Sequence, residues 1–210
     1  MNFISKNLQY RNSEVAWQKK YDASAPKQGE LAPDFELYDV TGKHRVQLSG
    51  FRRQKPVALV FGSFTWPPYV KGTVSLRELY KSYNGRVQFL PIYIREAHPV
   101  DGWWIGAGIV GKMVRKYSPY VALDVHDPLT IEERRIVAGK CETTLLYNIR
   151  TYVDSMDDSV SKAYAAKPTR LYLIGLDGRV EYAAGLGPYG FKPDELKQEI
   201  DACLQHITKL

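Results

Sequence analysis

The sequence VALVFGSFTWPPYV, residues 57 to 70, combines the signals of a buried strand and of a helix start. Its first half is a continuous apolar run rich in β-branched residues, which is typical of a strand buried on both faces of a sheet. The small polar residue Ser63 follows this run, and Pro67 and Pro68 then provide the start of a helix. A strand-to-helix junction of this kind is a common place for a reactive sulfur, but the position before the prolines is Trp66.

Strands and helices alternate downstream of this junction. Apolar residues recur at three- and four-residue spacing after the prolines and stop at Asn84-Gly85, which predicts a helix. The segment 96–130 is rich in Gly, Trp and Tyr and is too long for an ordinary connection, so we expect a functional or lid-like insertion. The other predicted elements are a buried strand at 87–94, a helix at 131–146, a short strand at 151–153, a helical turn at 157–165, a hairpin of strands 171–175 and 179–185, and a helix at 193–208.

Upstream of the junction, alternating apolar and polar residues on both sides of a turn at 40–43 predict a β-hairpin. Residues 1–28 are polar and mixed, and we expect them to form an N-terminal extension with a short helix near residues 15–20. Residues 29–210 are then expected to form one domain, since the chain is long enough for one sizeable core and we do not expect two independent domains.

The predicted order is βαβ followed by ββα. The crossover requires the first two core strands to be parallel, and the final hairpin requires the last two to be antiparallel. This is the α/β order of the thioredoxin-like fold, here with an N-terminal hairpin extension and the insertion at 96–130. Pro168 directly precedes the third core strand, where proteins of this fold place a cis proline facing the active loop, so we expect a cis Lys167-Pro168 bond.

Composition excludes several classes of protein. The formal charge is +6, but basic residues are spread along the chain among 23 acidic ones and no nucleic-acid motif accompanies them, so we expect no nucleic-acid role. Cys141 and Cys203, the two cysteines, are too far apart for a disulfide framework or a zinc pattern. We expect no metal or other cofactor. No run of about 18 apolar residues indicates a membrane span, and a cytoplasmic location is the expectation.

Several motifs in order resemble the iodothyronine deiodinases and bacterial deiodinase-like redoxins. They are APDFEL, LVFGSFTWPPY, FLPIYIREAHPVDGWW and VDSMDDSVSKAYAAKPTRLYLIGLDGRVEYAAGLGPYGF followed by PDEL, and they cover about residues 29–205. The resemblance implies a thioredoxin-like fold and reductive removal of iodine from phenolic rings by a selenocysteine or cysteine. It also implies an aromatic or peroxide substrate, a thiol reductant and, from dimeric members of the family, a homodimer.

The resemblance places the nucleophile at the third residue after the Ser of the family's GS-x-T-x-PP pattern, which is Trp66 here. An indole offers no comparable nucleophile and no acidic proton near neutrality, whereas a thiol at a helix N-terminus ionises readily. Thr65 matches the pattern. Phe64 stands where some members carry a second cysteine, so no neighbouring sulfur in the loop compensates.

Three explanations of Trp66 remain open. The chain is a pseudoenzyme that keeps a pocket for an aromatic ligand or a protein-binding surface. Alternatively, Cys141, in a helix where bacterial relatives often carry a cysteine, replaces the lost nucleophile, although a lone helical cysteine is more often a small buried residue. Finally, tryptophan and selenocysteine codons differ by one base, so Trp66 stands for a recoded, mistranslated or mutated active codon.

Other candidate site residues follow from the same resemblance. Glu96 and His98 match the family's E-A-H segment, which implies that His98 exchanges a proton near neutrality and that Glu96 orients it or a substrate amine. The plain alternative is a histidine that caps a turn beside a solvated glutamate. His126 is a candidate for the family's second histidine. Arg170, beside Pro168, either faces the loop and binds an anion or ends a strand in water.

Overall fold

The computed structural model describes residues 3–208 of the chain and side chains from residue 7 onward. Its strands are β1 (Glu36–Asp39), β2 (Arg45–Gln47), β3 (Val57–Gly62), β4 (Gln88–Tyr93), β5 (Tyr152–Val153), β6 (Arg170–Ile174) and β7 (Val180–Ala183). Its α-helices are α1 (Phe3–Asp22), α2 (Pro67–Tyr83), α3 (Gly108–Tyr117), α4 (Ile131–Leu145), α5 (Ser159–Ala163) and α6 (Pro193–Thr208), with one 3-10 turn at Leu48–Phe51.

The strands form one sheet in the order β2-β1-β5-β4-β3-β6-β7. β3 pairs in parallel with β4, and β6 pairs antiparallel with both β3 and β7. The hairpin of β1 and β2 extends the sheet through antiparallel pairing of β1 with β5. The predicted α/β fold, with its βαβ and ββα halves and its N-terminal hairpin, is confirmed.

The sheet is buried on both faces, as the continuous apolar run of β3 predicts. Alternate residues of β3 contribute to two separate cores because successive side chains of a strand point to opposite faces. Ala58 and Val60 pack in the cluster that includes residues of α2, α4 and α6. Leu59 and Phe61 pack in the second cluster, with Tyr164 near the end of α5. This double burial fixes the carboxyl end of β3, from which the loop at residues 63–66 emerges.

Helix α1 is longer than the short helix predicted near residues 15–20. Its residues show no apolar stripe, so hydrophobic periodicity could not indicate its length. Polar contacts hold it against the domain instead: Glu14 pairs with Lys167 at 2.6 Å and Asp22 pairs with Arg170 at 2.7 Å. Within residues 3–208, no helix combines the length and the apolar character that crossing a bilayer requires.

Candidate functional site

The loop at residues 63–66 connects the end of β3 to the start of α2. Trp66 is the N-cap of α2, with extended backbone angles of φ −99° and ψ 106°. Its N–H donates to the carbonyl of Ser63 at 3.3 Å, and its carbonyl accepts from Val70 at 3.1 Å. Pro67 and Pro68 bring no N–H groups, so Tyr69 carries the first N–H of the helix. The loop therefore places the side chain of residue 66 at a helix N-terminus.

A buried carboxylate fixes this loop. The Oε2 atom of Glu96 accepts hydrogen bonds from the hydroxyl of Thr65 at 2.6 Å and from its backbone N–H at 3.2 Å. The other oxygen of Glu96 accepts from the hydroxyl of Tyr93, which itself accepts from the N–H of Phe64 at 3.1 Å. Burial raises the pKa of Glu96, and the bonds from Thr65 and Tyr93 oppose that rise. The carboxylate thus positions the loop.

Thr65 also connects the loop to the segment that follows β4. Its hydroxyl oxygen accepts from the backbone N–H groups of Ala97 at 3.1 Å and His98 at 3.0 Å. The expectation that Glu96 orients His98 or a substrate amine is therefore replaced by an anchoring role. Tyr93 is not among the predicted site residues, although its place at the end of a buried strand, three residues before Glu96, puts a hydroxyl at the same edge of the sheet.

The indole of Trp66 fills the space beside this network. Only 9% of Trp66 is exposed, and its ring centroid lies 5.2 Å from that of His98. The Nε1 atom of Trp66 is buried without a hydrogen-bond partner among the described residues. A cavity of about 10 Å³, the space of one water molecule, lies between Trp66, His98, Lys167 and Pro168, with α1 on one side. The predicted cis Lys167-Pro168 bond is confirmed.

His98 is held as a neutral imidazole. Its Nδ1 atom lies 2.7 Å from the carbonyl oxygen of Trp103, and a carbonyl only accepts, so Nδ1 carries the hydrogen. The ring of Trp103 also meets His98 edge to face, with centroids 4.7 Å apart. Burial lowers the pKa of His98 to about 4. The arrangement does not support the expected proton exchange near neutrality.

The neutral state of His98 gives a pH-dependent stability. The folded pKa, about 4, is lower than the ordinary value of 6.5, so between these values only the unfolded chain binds the extra proton. The contribution of His98 is therefore complete above pH 6.5 and is lost as the pH falls toward 4. We expect the difference in unfolding free energy between wild type and His98→Gln to shrink by about 3 kcal/mol over this window. Urea unfolding at several pH values measures it, and a constant difference would contradict the assignment.

The structure argues against Cys141 as a replacement nucleophile. Cys141 lies on α4 and is completely buried. Burial raises the pKa of its thiol well above the ordinary value, and the nearby charge of Glu96 adds to the rise. Cys203, on α6, is partly buried, and the same cause raises its pKa to about 11. Neither thiol has the environment of a reactive thiolate.

Arg170 lies neither in water nor beside the cavity at Trp66. Its guanidinium donates to the Ala184 carbonyl at 2.8 Å and to the Asp22 carboxylate at 2.7 Å. Only 7% of the residue is exposed. Arg170 therefore neither faces the loop to bind an anion nor ends a strand in water, and both expectations are replaced by a link between α1 and β6. These contacts occupy the group that was expected to bind an anion.

Phe64, in the same loop, lines a larger groove. Its volume is about 640 Å³, and it lies between Phe64, the end of the insertion and one face of α4. We call it the Phe64 groove; its apolar lining includes Val125, Leu129, Ile136 and Val137, and its polar lining includes Asp101, Asp124, His126 and Lys140. The structure thus places His126 in this groove, where it is exposed and lies 3.9 Å from Asp101. No local sequence pattern indicates this groove, because segments that are distant in the chain form it.

Comparison with known proteins identifies the family. The family model for iodothyronine deiodinase matches residues 7–203. Thyroxine 5-deiodinase of Gallus gallus is 34% identical over 87% of this chain and 64% of its own length, and that of Sparus aurata is 32% identical over 82% and 60%. The chain therefore spans about three fifths of the length of these curated relatives. The crystal structure described as a thiol:disulfide interchange protein DsbE from Chlorobium tepidum has a TM-score of 0.56 at 18% identity, covering 86% of this chain and 99% of that one. This chain belongs to the iodothyronine deiodinase family and has a thioredoxin-like fold.

Proposed function

We propose that this chain is a catalytically silent member of its family that binds an aromatic amino acid derivative in the Phe64 groove. The observation that carries the proposal is Trp66 at the N-terminus of α2, the position that the motif resemblance assigns to the nucleophile. A buried indole supplies neither a nucleophile nor a redox-active sulfur. The two thiols of the chain have raised pKa values and lie on α4 and α6.

The Phe64 groove supports ligand binding without that chemistry. Its volume of about 640 Å³ falls within the range of small-molecule sites, roughly 300–1,000 Å³. Leu129 and Ile136 are exposed hydrophobic residues at the groove, with exposed fractions of 82% and 60%. Removing water from these side chains favours an aromatic ligand. Asp124 and Lys140 provide opposite charges for the ammonium and carboxylate groups of an amino acid.

The substrate class of the family makes thyroxine the probe for this proposal. We expect calorimetry to show thyroxine binding to wild type and at least about tenfold weaker binding to Ile136→Arg, because a charge there must be desolvated against the ligand. Val74→Arg is the matched control, since Val74 is a similarly exposed aliphatic residue on α2 at 55%. Equal affinities for the two variants, or no binding to wild type, would contradict the assignment of the groove.

Iodide release separates binding from catalysis in the same samples. With dithiothreitol as reductant, wild type should release no more iodide from thyroxine than a protein-free control. Thiol-dependent release that persists in a Cys141→Ala, Cys203→Ser variant would refute catalytic silence and would require chemistry at another group. A thiol reductant in the cell, a homodimer and a cytoplasmic location stay predictions from the sequence.

A further inference from the structure

Helix α3, within the insertion, exposes a contiguous apolar stripe. Four large apolar residues of this helix are each more than half exposed: Ile109, Val110, Met113 and Tyr117. Residues at these spacings fall within an arc of about 100° on an α-helix, so they form one face. Tyr120, just after the helix, adds a fifth exposed large side chain at 66%. Contiguous exposed apolar surface of this kind marks an interaction site more often than scattered residues do.

The side of α3 opposite the stripe packs closely against the backbone of the preceding segment, so the stripe cannot face the protein interior. Gly111 is buried, and a Cβ atom added there would lie 2.1 Å from the carbonyl oxygen of Gly106. The helix therefore approaches the preceding segment through a glycine. Val114, one turn along, packs against the core cluster. With Gly111 and Val114 facing the protein, the apolar stripe faces solvent.

Basic residues border the stripe. Lys112 and Lys116 are exposed on the flank of the same face, and Arg115 is exposed next to them. From Gly102 to Leu123 the sequence contains these three basic residues and no Asp or Glu. The surface thus combines apolar side chains with an unbalanced positive charge. That combination is complementary to a surface that is negative outside and apolar beneath.

We propose that α3 docks this protein on bilayers that contain anionic phospholipids, with the apolar stripe at headgroup depth. The three basic residues beside the stripe, with no acidic residue from Gly102 to Leu123, favour a bilayer of anionic lipids as the occupant. Tyr117 and Tyr120 suit the water–lipid boundary, and Lys112 and Lys116 suit lipid phosphates. The ten residues of α3 are too few to span a bilayer, so the helix lies on the surface.

Vesicle co-sedimentation of the full chain tests this proposal. We expect wild type to bind vesicles of phosphatidylcholine with 30% phosphatidylserine and to bind pure phosphatidylcholine at least about tenfold more weakly, with binding falling as salt rises. Lys112→Glu with Lys116→Glu should weaken binding to the anionic vesicles by at least about thirtyfold. Lys43→Glu with Lys71→Glu, an exposed pair with the same change in net charge, should bind like wild type.

The apolar contribution needs a second pair of variants. Ile109→Gln with Met113→Gln keeps the net charge and removes two large side chains of the stripe, so it should weaken binding to anionic vesicles by at least about tenfold while circular dichroism stays unchanged. Failure of wild type to bind anionic vesicles would overturn the proposal. Equal loss with the Lys43 and Lys71 pair would overturn it as well, since the attraction would then come from net charge. A protein occupant would appear as concentration-dependent dimerisation that the Ile109 and Met113 pair abolishes, without vesicle binding.

Discussion

Replacing Glu96 by alanine is expected to destabilise the protein by about 3–5 kcal/mol, because the change leaves buried partners of the carboxylate unpaired. Glu96 is 1% exposed, and it accepts from the hydroxyl and the N–H of Thr65 and from the hydroxyl of Tyr93. Each of these donors would lose its partner in a buried environment. The expected loss of unfolding free energy is therefore larger than the net contribution of the three hydrogen bonds.

Two further variants separate this anchoring from simple packing. Glu96→Gln keeps the shape and one acceptor oxygen, so we expect a smaller loss than for Glu96→Ala. Thr65→Val should lower the free energy of unfolding less in the Glu96→Ala variant than in wild type, since the two side chains act in one network. Guanidinium unfolding of the single and double variants gives these free energies. Strictly additive losses would show that the network does not hold the loop.

Replacing Trp66 by cysteine is expected to produce a folded protein with an activated thiol. The change removes a buried aromatic side chain, and the cavity should cost about 3–5 kcal/mol, so stability is measured first. The loop itself should persist, because its anchors are Thr65, Glu96 and Tyr93 rather than the indole.

Two features of the structure favour the thiolate at this position. Residue 66 is the N-cap of α2, at the positive end of the helix dipole, where Tyr69 carries the first N–H that a thiolate at an N-cap could accept from. Lys167 lines the same cavity as Trp66 and adds a positive charge, although burial lowers its own pKa. Desolvation works in the opposite direction, but removing the indole enlarges the water-sized cavity and weakens that effect.

Much of the fold follows from local sequence signals. The apolar run of β3, the prolines at the start of α2 and the turn at Gly178 each depend on neighbours in sequence, and all three elements formed where expected. The full length of helix α1 could not be predicted from such signals. Its position depends on ion pairs with Lys167 and Arg170, which are distant from it in the sequence. Hydrophobic periodicity contains no information about such contacts.

The site was harder to predict than the fold. The resemblance named Thr65, Glu96 and His98 as site residues, and the structure brings them together because the E-A-H segment follows β4 and the loop follows its parallel partner β3. It did not indicate their roles, since burial decides the protonation of His98 and the bonding of Glu96. The Phe64 groove joins residues of three segments, so only the folded chain brings them together.

The pH dependence of the alkylation rate of Trp66→Cys shows most directly whether Trp66 alone prevents nucleophilic chemistry, with the loop and the start of α2 still able to activate a thiol. The variant is made in a Cys141→Ala, Cys203→Ser background, and Val74→Cys in the same background is the control, because Val74 is exposed within α2 and should titrate near the ordinary value of about 8.5. With iodoacetamide, we expect an apparent pKa for Cys at position 66 clearly below that of the control. A pKa at or above about 8.5 in the folded variant would contradict it, because the loop would then no longer activate a nucleophile.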